Sequence, residues 1–174
     1  NALQARGYHL VIVTAGNDED NVERLVQEIL SLQVDGLIMA SVSTDLSLTG
    51  QITRAGVPAV LFNRGQFDSA NPTVTAANFD GGRRAAHYLV ERGHTRIAHI
   101  SGWQGSKTGY DRMQGFMQGL SERGQEPYAV IDSFYERDKA RTATLGLFVS
   151  DPAPDAIFVG NDHMAFAVIE TLRH

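Results

Sequence analysis

The chain has 174 residues, 43% of them hydrophobic and 20% charged, with a net charge of −5, the make-up of an ordinary globular domain with room for a real core. No run of Lys or Arg forms the basic face that displaces counterions from phosphates, so this stretch does not hold DNA by itself. The absence of cysteine excludes disulfides, thiol catalysis and Cys-ligated metal sites, and no apolar run nears the roughly 20 residues needed to span a bilayer.

Tyr8 to Thr14 (YHLVIVT) predicts a short strand, followed by the polar turn Ala15 to Asp20. Val22, Leu25, Val26, Ile29 and Leu30 then recur at helical spacing, with Asn17 or Asp18 as the N-cap. Gly36 to Ser41 (GLIMAS) predicts a second strand, and Asp45 to Ala55 a weaker helix stopped by Gly56. Pro58 to Phe62 (PAVLF) reads as a third strand, Thr73 to Ala76 as a short extended piece, and Phe67 to Pro72 as the most loop-like segment.

The second half repeats the rhythm. Asp80 to Arg92 predicts a helix ended by Gly93, Arg96 to Ser101 (RIAHIS) a strand, and Asp111 to Arg123 a helix ended by Gly124. Tyr128 to Ile131 is a strand and Asp138 to Val149 a helix; Pro152 and Pro154 break the chain. Asp155 to Val159 is a further strand, and Asp162 to Leu172 the last helix. Apolar strands alternating with helices predict parallel βαβ units, hence an α/β fold with a doubly wound sheet covered on both faces. Ligands in such folds sit beyond the carboxyl ends of the strands. In this chain those ends are Ala15–Asn17, Ser41–Ser43, Asn63–Arg64, Gly102–Thr108, Asp132–Tyr135 and Asn161–Asp162, mostly small or polar.

Several chemistries fall away. Gly102 to Thr108 (GWQGSKT) looks superficially like a phosphate loop, but Ser101 and Ser106 stand where a Walker A loop needs glycine. The six histidines do not cluster, and His87 with Glu91 offers two ligands where zinc wants three or four. No nucleophile elbow supports a Ser–His–Asp grouping. The sequence predicts no catalytic residue, no metal and no cofactor.

Six segments together resemble the effector-binding core of the LacI/GalR family of transcription regulators. Arg6-Gly7-Tyr8 before an apolar strand, Val34 to Ile38 (VDGLI), and Asn78 to Gly82 (NFDGG) each match a family turn or strand. Arg92 to Ala98 (RGHTRIA) is similar to the LGHRRIA crossover, Arg112 to Phe116 to R-x-x-G-F, and Asn161 to Ala165 to the NDxMA turn. The resemblance implies two Rossmann-like lobes with doubly wound parallel sheets, of the type I periplasmic-binding-protein kind, with an effector between them. It makes 1–94 the N-terminal lobe without its first strand and 95–174 the C-terminal lobe without its closing segment. The DNA-binding helix-turn-helix lies outside this chain. The implied partners are a small-molecule effector (a sugar or related metabolite), operator DNA through that absent domain, and a second copy in a homodimer. The implied setting is cytoplasmic, with no membrane contact.

Site residues follow from the same resemblance. Arg112 is the family's effector-gripping Arg, its guanidinium a rigid fork for hydroxyls or a carboxylate; the plainer reading is a pair with Asp111 or Glu122. Thr108 is a contact or a helix cap, and Ser106 a variable cleft position. Asn161 matches an Asn that bonds sugar hydroxyls, leaving Asp162 as N-cap of the last helix. Asn63 stands where relatives often carry Asp, which weakens a cationic-effector reading. Tyr135 or Phe134 supplies a stacking aromatic, as Trp103 could, against the commoner role of packing. The rival readings are a periplasmic sugar-binding protein of a transport system and, third, an α/β enzyme.

Overall fold

The computed structural model describes residues 3–14, 19–40, 47–67, 70–149 and 151–173, with the backbone alone for 19–23 and 47–48. The chain forms two compact units, Asn1–Ile38 with Leu46–Ala59, and Met39–Asp45 with Val60–His174.

In the first unit a single 3₁₀ turn at Gln4–Arg6 ends at Gly7, whose φ of 82° lets its N–H reach the Gln4 carbonyl. Helices α1 (Glu19–Ser31) and α2 (Ser47–Arg54) bury Val26 and Ile52, and Gln27 Nε2 donates to Gln51 Oε1 at 2.7 Å. Strand β1 (Leu37–Ala40) begins where the Leu37 N–H meets the Pro58 carbonyl at 2.9 Å. Gly56 ends α2 in the left-handed conformation, as its position predicts. Tyr8–Thr14 departs from expectation: it pairs with no strand among the described residues, and all seven of its side chains are exposed. β-branched residues supply the propensity for a strand, but only a neighbouring backbone supplies the ladder. The predicted caps Asn17 and Asp18, and the strand ends Ala15–Asn17 and Ser41–Ser43, lie outside the described residues.

The second unit takes the end of β1 from Met39 and everything from Val60 onward. β2 (Ala59–Phe62) runs parallel to β3 (Thr73–Val74), Leu61 opposite Thr73. Then follow α3 (Asn78–Glu91), β4 (Ile97–Ser101), α4 (Lys107–Ser121), β5 (Ala129–Asp132), α5 (Arg137–Leu147), β6 (Ala156–Val159) and α6 (Asp162–Leu172). β4 is the central strand of a parallel sheet ordered β5-β4-β6, with Ile100 opposite both Ile131 and Val159. All five β4 residues are buried, which is why the segment reads as a continuous run rather than an alternation. Ala98 and Ile100 pack with Ala140, Ala143 and Leu147 of α5 and Met164 and Val168 of α6. Ile97 packs on the other face with Ala86 of α3 and Phe116 and Leu120 of α4. The sheet is therefore doubly wound, as predicted.

α3, which the family resemblance puts in the first lobe, thus shares its core with α4 and the second sheet. Glycine makes that contact possible. A Cβ on Gly82 would lie 2.1 Å from the Arg112 carbonyl oxygen, and one on Gly119 would lie 2.5 Å from that of Arg83. Gly115 and Gly119 recur one turn apart, so the backbones of α3 and α4 meet along a glycine seam.

Candidate polar site at the strand ends

Where β4, β5 and β6 end, the chain turns sharply. Gly102 follows β4, and the Tyr135 ring lies flat enough against it that a Cβ there would sit 2.0 Å from Cε1. Phe134 and Tyr135 both adopt left-handed backbone, at φ 55° and 63°, a conformation uncommon for aromatic residues. The turn is held by Asp132, whose Oδ1 accepts the Phe134 N–H at 2.8 Å. Tyr135 is half-buried with its hydroxyl inside and unbonded, and the Arg64 guanidinium sits 5.5 Å from its ring centre. Phe134 is exposed, with Lys139 Nζ 4.1 Å from its ring centre.

α4 begins earlier than the sequence predicts because Ser106 caps it. Its Oγ accepts the Gly109 N–H at 3.1 Å and donates to the Trp103 carbonyl at 2.9 Å, and the residue is fully buried. That is the capping role the sequence offered to Thr108. Thr108 instead donates its hydroxyl to the Asn63 carbonyl at 3.0 Å. Asn63 follows β2 at φ 68°, which Asn tolerates, and the same carbonyl accepts the Thr75 hydroxyl at 3.0 Å. Trp103 folds back over Gly105, and Lys107 pairs with Asp111 at 2.8 Å, so GWQGSKT forms a helix entry, not a phosphate loop.

Arg112 is anchored at two points. Its Nε donates to Asn78 Oδ1 at 3.0 Å, and its Nη1 donates to the Gly160 carbonyl. It pairs with neither Asp111, which is held by Lys107, nor Glu122, which binds Arg83 and His87 at 2.8 Å. Next to Gly160, Asn161 caps α6, its side chain accepting the Met164 N–H at 2.9 Å. The cap expected of Asp162 thus belongs to Asn161, whose extended backbone (φ −156°) suits it. Asp162 is the exposed first residue of the helix. Ala76, Asn78, Gly82, Arg112, Gly160, Asn161 and Asp162 border one open hollow of about 460 Å³.

Of the six predicted residues, Arg112 and Asn161 line that hollow, while Asn63 and Thr108 bond to each other. Tyr135 lies over Gly102, and Ser106 is enclosed. Asn78 was missed as a site residue. The sequence placed it only in the NFDGG motif; in the structure it borders the hollow, and α3 starts after Ala77 without any side-chain cap. Elsewhere in the layer, burial lowers the His99 pKa to about 4, against weak upward pulls from the Phe158 carbonyl and the Asp132 charge. No group of three or more metal-ligating side chains occurs among the described residues.

A doubly wound parallel layer with polar strand ends opening on a hollow defines the class: an α/β domain of the type I periplasmic-binding-protein fold, in which strand ends are where ligands sit. The profile of the family described as periplasmic binding proteins and sugar binding domain of LacI family matches residues 1–174, and the chain belongs to this family. It is 33% identical to the HTH-type transcriptional regulator CelR of Thermobifida fusca over 176 residues, covering 99% of this chain and 52% of that protein. The ribose operon repressor of Escherichia coli (strain K12) is 30% identical over 171 residues, covering 96% and 52%. A solved transcriptional regulator CelR–cellobiose complex matches with a TM-score of 0.89 at 34% identity, covering 99% of this chain and 54% of that one. The chain spans about half the length of the curated relatives it matches. No helix among the described residues is long and apolar enough to cross a membrane.

Proposed function

We propose that this chain is the effector-sensing part of a cytoplasmic LacI-type transcription regulator, binding a neutral sugar at the carboxyl ends of β4, β5 and β6. The observation that carries it is the convergence of Arg112, Asn161 and Asp162 on one hollow. Two of the five N–H donors of Arg112 are spent on Asn78 and Gly160, which leaves three for sugar hydroxyls. The Asn161 amide nitrogen remains a donor, and the Asp162 carboxylate an acceptor for a hydroxyl pair. Thr108, Asn63 and the Tyr135 ring complete the contact set, with Ser106 as the cap beneath it. The cellobiose bound by the CelR structure makes a glucosyl disaccharide the first ligand to test.

In the whole protein, this reading has sugar binding alter the affinity of an N-terminal helix-turn-helix for operator DNA, in a homodimer. A ligand does so only through its different affinity for the two arrangements of the lobes. The packing of α3 on α4 supports a lobe boundary before Asn78 rather than after His94. Relatives at 30% identity or above that are regulators support sensing over transport. The test is calorimetric titration of the full-length protein with cellobiose, D-ribose, glucose 6-phosphate and hypoxanthine. A sugar that binds wild type and binds at least about tenfold more weakly to Arg112→Ala and Asn161→Ala supports the reading. Binding untouched by changes at Arg112, Asn161 and Tyr135 sinks it.

A further inference from the structure

We propose that Asn78 is a positioning residue for Arg112, setting the guanidinium at the angle from which it addresses the ligand; this rests on the sensing reading above. Asn78 is 7% exposed, in the first turn of α3, and its carboxamide is used at both ends. Nδ2 donates to Thr75 Oγ1 at 3.1 Å and to the Ala76 carbonyl at 3.0 Å. Those two acceptors leave one orientation for the amide, with Oδ1 turned to Arg112 Nε at 3.0 Å. An amide flipped the other way would set its NH₂ against an N–H donor and its oxygen against two acceptors.

The consequence for Arg112 is geometric. A bond at Nε and another from Nη1 to the Gly160 carbonyl fix both the position and the plane of the fork. The remaining N–H groups are then presented in one direction, and the rotamer freedom of a long side chain is lost before the ligand arrives. The support continues backwards. Thr75 Oγ1, which accepts the Asn78 N–H, donates its own hydrogen bond to the Asn63 carbonyl, where Thr108 also donates. One polar chain therefore runs from the loop after β2, through Asn78, to Arg112 and the end of β6.

The test has two arms, both on the full-length protein. In the first, NMR follows solvent exchange of the Arg112 Nε–H without ligand in wild type, Asn78→Leu and Asn78→Asp. Asn78→Leu should speed that exchange about tenfold or more, while Asn78→Asp, which keeps the acceptor, should hold it near the wild-type rate. In the second, cellobiose is titrated. Asn78→Leu should weaken binding roughly tenfold, Asn78→Asp no more than about threefold, and Asn78→Leu should add nothing in an Arg112→Ala background. Should Asn78→Leu fail to fold, Asn78→Ser is too short to reach Nε and gives the same readouts. Unchanged Nε–H exchange in Asn78→Leu, or effects of Asn78 and Arg112 that simply add, would overturn the proposal. If wild type binds no sugar, the sensing reading falls, and the exchange arm still decides whether Asn78 anchors Arg112.

Discussion

Gly115 of α4 meets the Phe79 carbonyl of α3 so closely that a Cβ on the glycine would lie 1.9 Å from the carbonyl oxygen. The neighbour is backbone, so no side chain can swing aside to make room. Gly115→Ala gains about 1 kcal/mol of helix propensity, whereas overpacking a tight contact costs about 1–3 kcal/mol, and more where the helices themselves must separate. We expect Gly115→Ala to lower stability by about 2 kcal/mol or more on urea unfolding. Gly146, exposed in α5 with nothing within 4 Å of an added Cβ, is the control. Gly146→Ala should be neutral or slightly stabilising; equal losses at both sites would contradict the seam.

His99 makes the sheet sensitive to acid. Its ring lies between Phe158, 4.7 Å away and stacked, and Phe116, 5.1 Å away, with Nδ1 bonded to the Phe158 carbonyl. A carbonyl only accepts, so Nδ1 carries the proton of the neutral ring, and Nε2 is buried without a partner. Burial lowers the folded pKa from 6.5 to about 4. The unfolded chain therefore takes up a proton first as pH falls. The stabilising contribution is complete above pH 6.5 and declines towards pH 4, by about 3 kcal/mol in total. Urea midpoints at pH 7.5 and 5 should show about 2 kcal/mol of this fall in wild type, and His99→Phe, which keeps a ring in the stack, should lose that part of the slope.

The parallel sheet and its helices were legible because apolar strands, helical stripes and glycine stops agree with one another along residues 78–172. The start of the chain was not, because Tyr8–Thr14 has strand-forming side chains but finds no ladder among the described residues. In the candidate site, the sequence names residues but not their hydrogen-bond partners. Ser106 and Thr108 both carry hydroxyls near a helix start, and only the φ of −108° at Ser106 decides which one caps. The cap of α6 fell to Asn161 rather than Asp162 for the same reason. Asn78 had no visible role, because its partner lies 34 residues away in sequence.

Asp155 fastens the turn between α3 and β4 to the start of β6. Its carboxylate accepts the Thr95 and Arg96 N–H groups at 3.2 Å and faces His94 Nδ1 at 3.5 Å. Partial burial pulls its pKa upward, but those N–H bonds and the charges of Arg96 and His94 outweigh it and hold the carboxyl below its ordinary value. A depressed carboxylate stabilises above its unfolded pKa and stops doing so as pH falls through the folded one. Asp155→Ala leaves two backbone donors to partial solvent, so a loss of about 1–2 kcal/mol is expected at pH 7. Faster amide exchange at Thr95 and Arg96 should accompany it, and unchanged exchange there would show that the carboxylate does not hold the turn.

In the proposed function Ser106 belongs to the framework of the site and Thr108 to its contacts. Ser106 caps α4 from full burial, so Ser106→Ala removes the acceptor for Gly109 and should cost about 1–2 kcal/mol of stability. With no atom at the surface, it should leave cellobiose affinity within about twofold of wild type. Thr108→Val keeps the shape and removes the bond to the Asn63 carbonyl, which still accepts from Thr75. Its stability cost should be smaller, about 0.5–1 kcal/mol, because no buried acceptor is left empty. Its effect should appear in binding instead, a loss of about threefold or more, since Thr108 and Asn63 then no longer hold each other at the edge of the site. Urea unfolding and calorimetry on the two variants side by side check the contrast. If Ser106→Ala weakens binding more than Thr108→Val does, the buried serine, not the threonine, shapes the site.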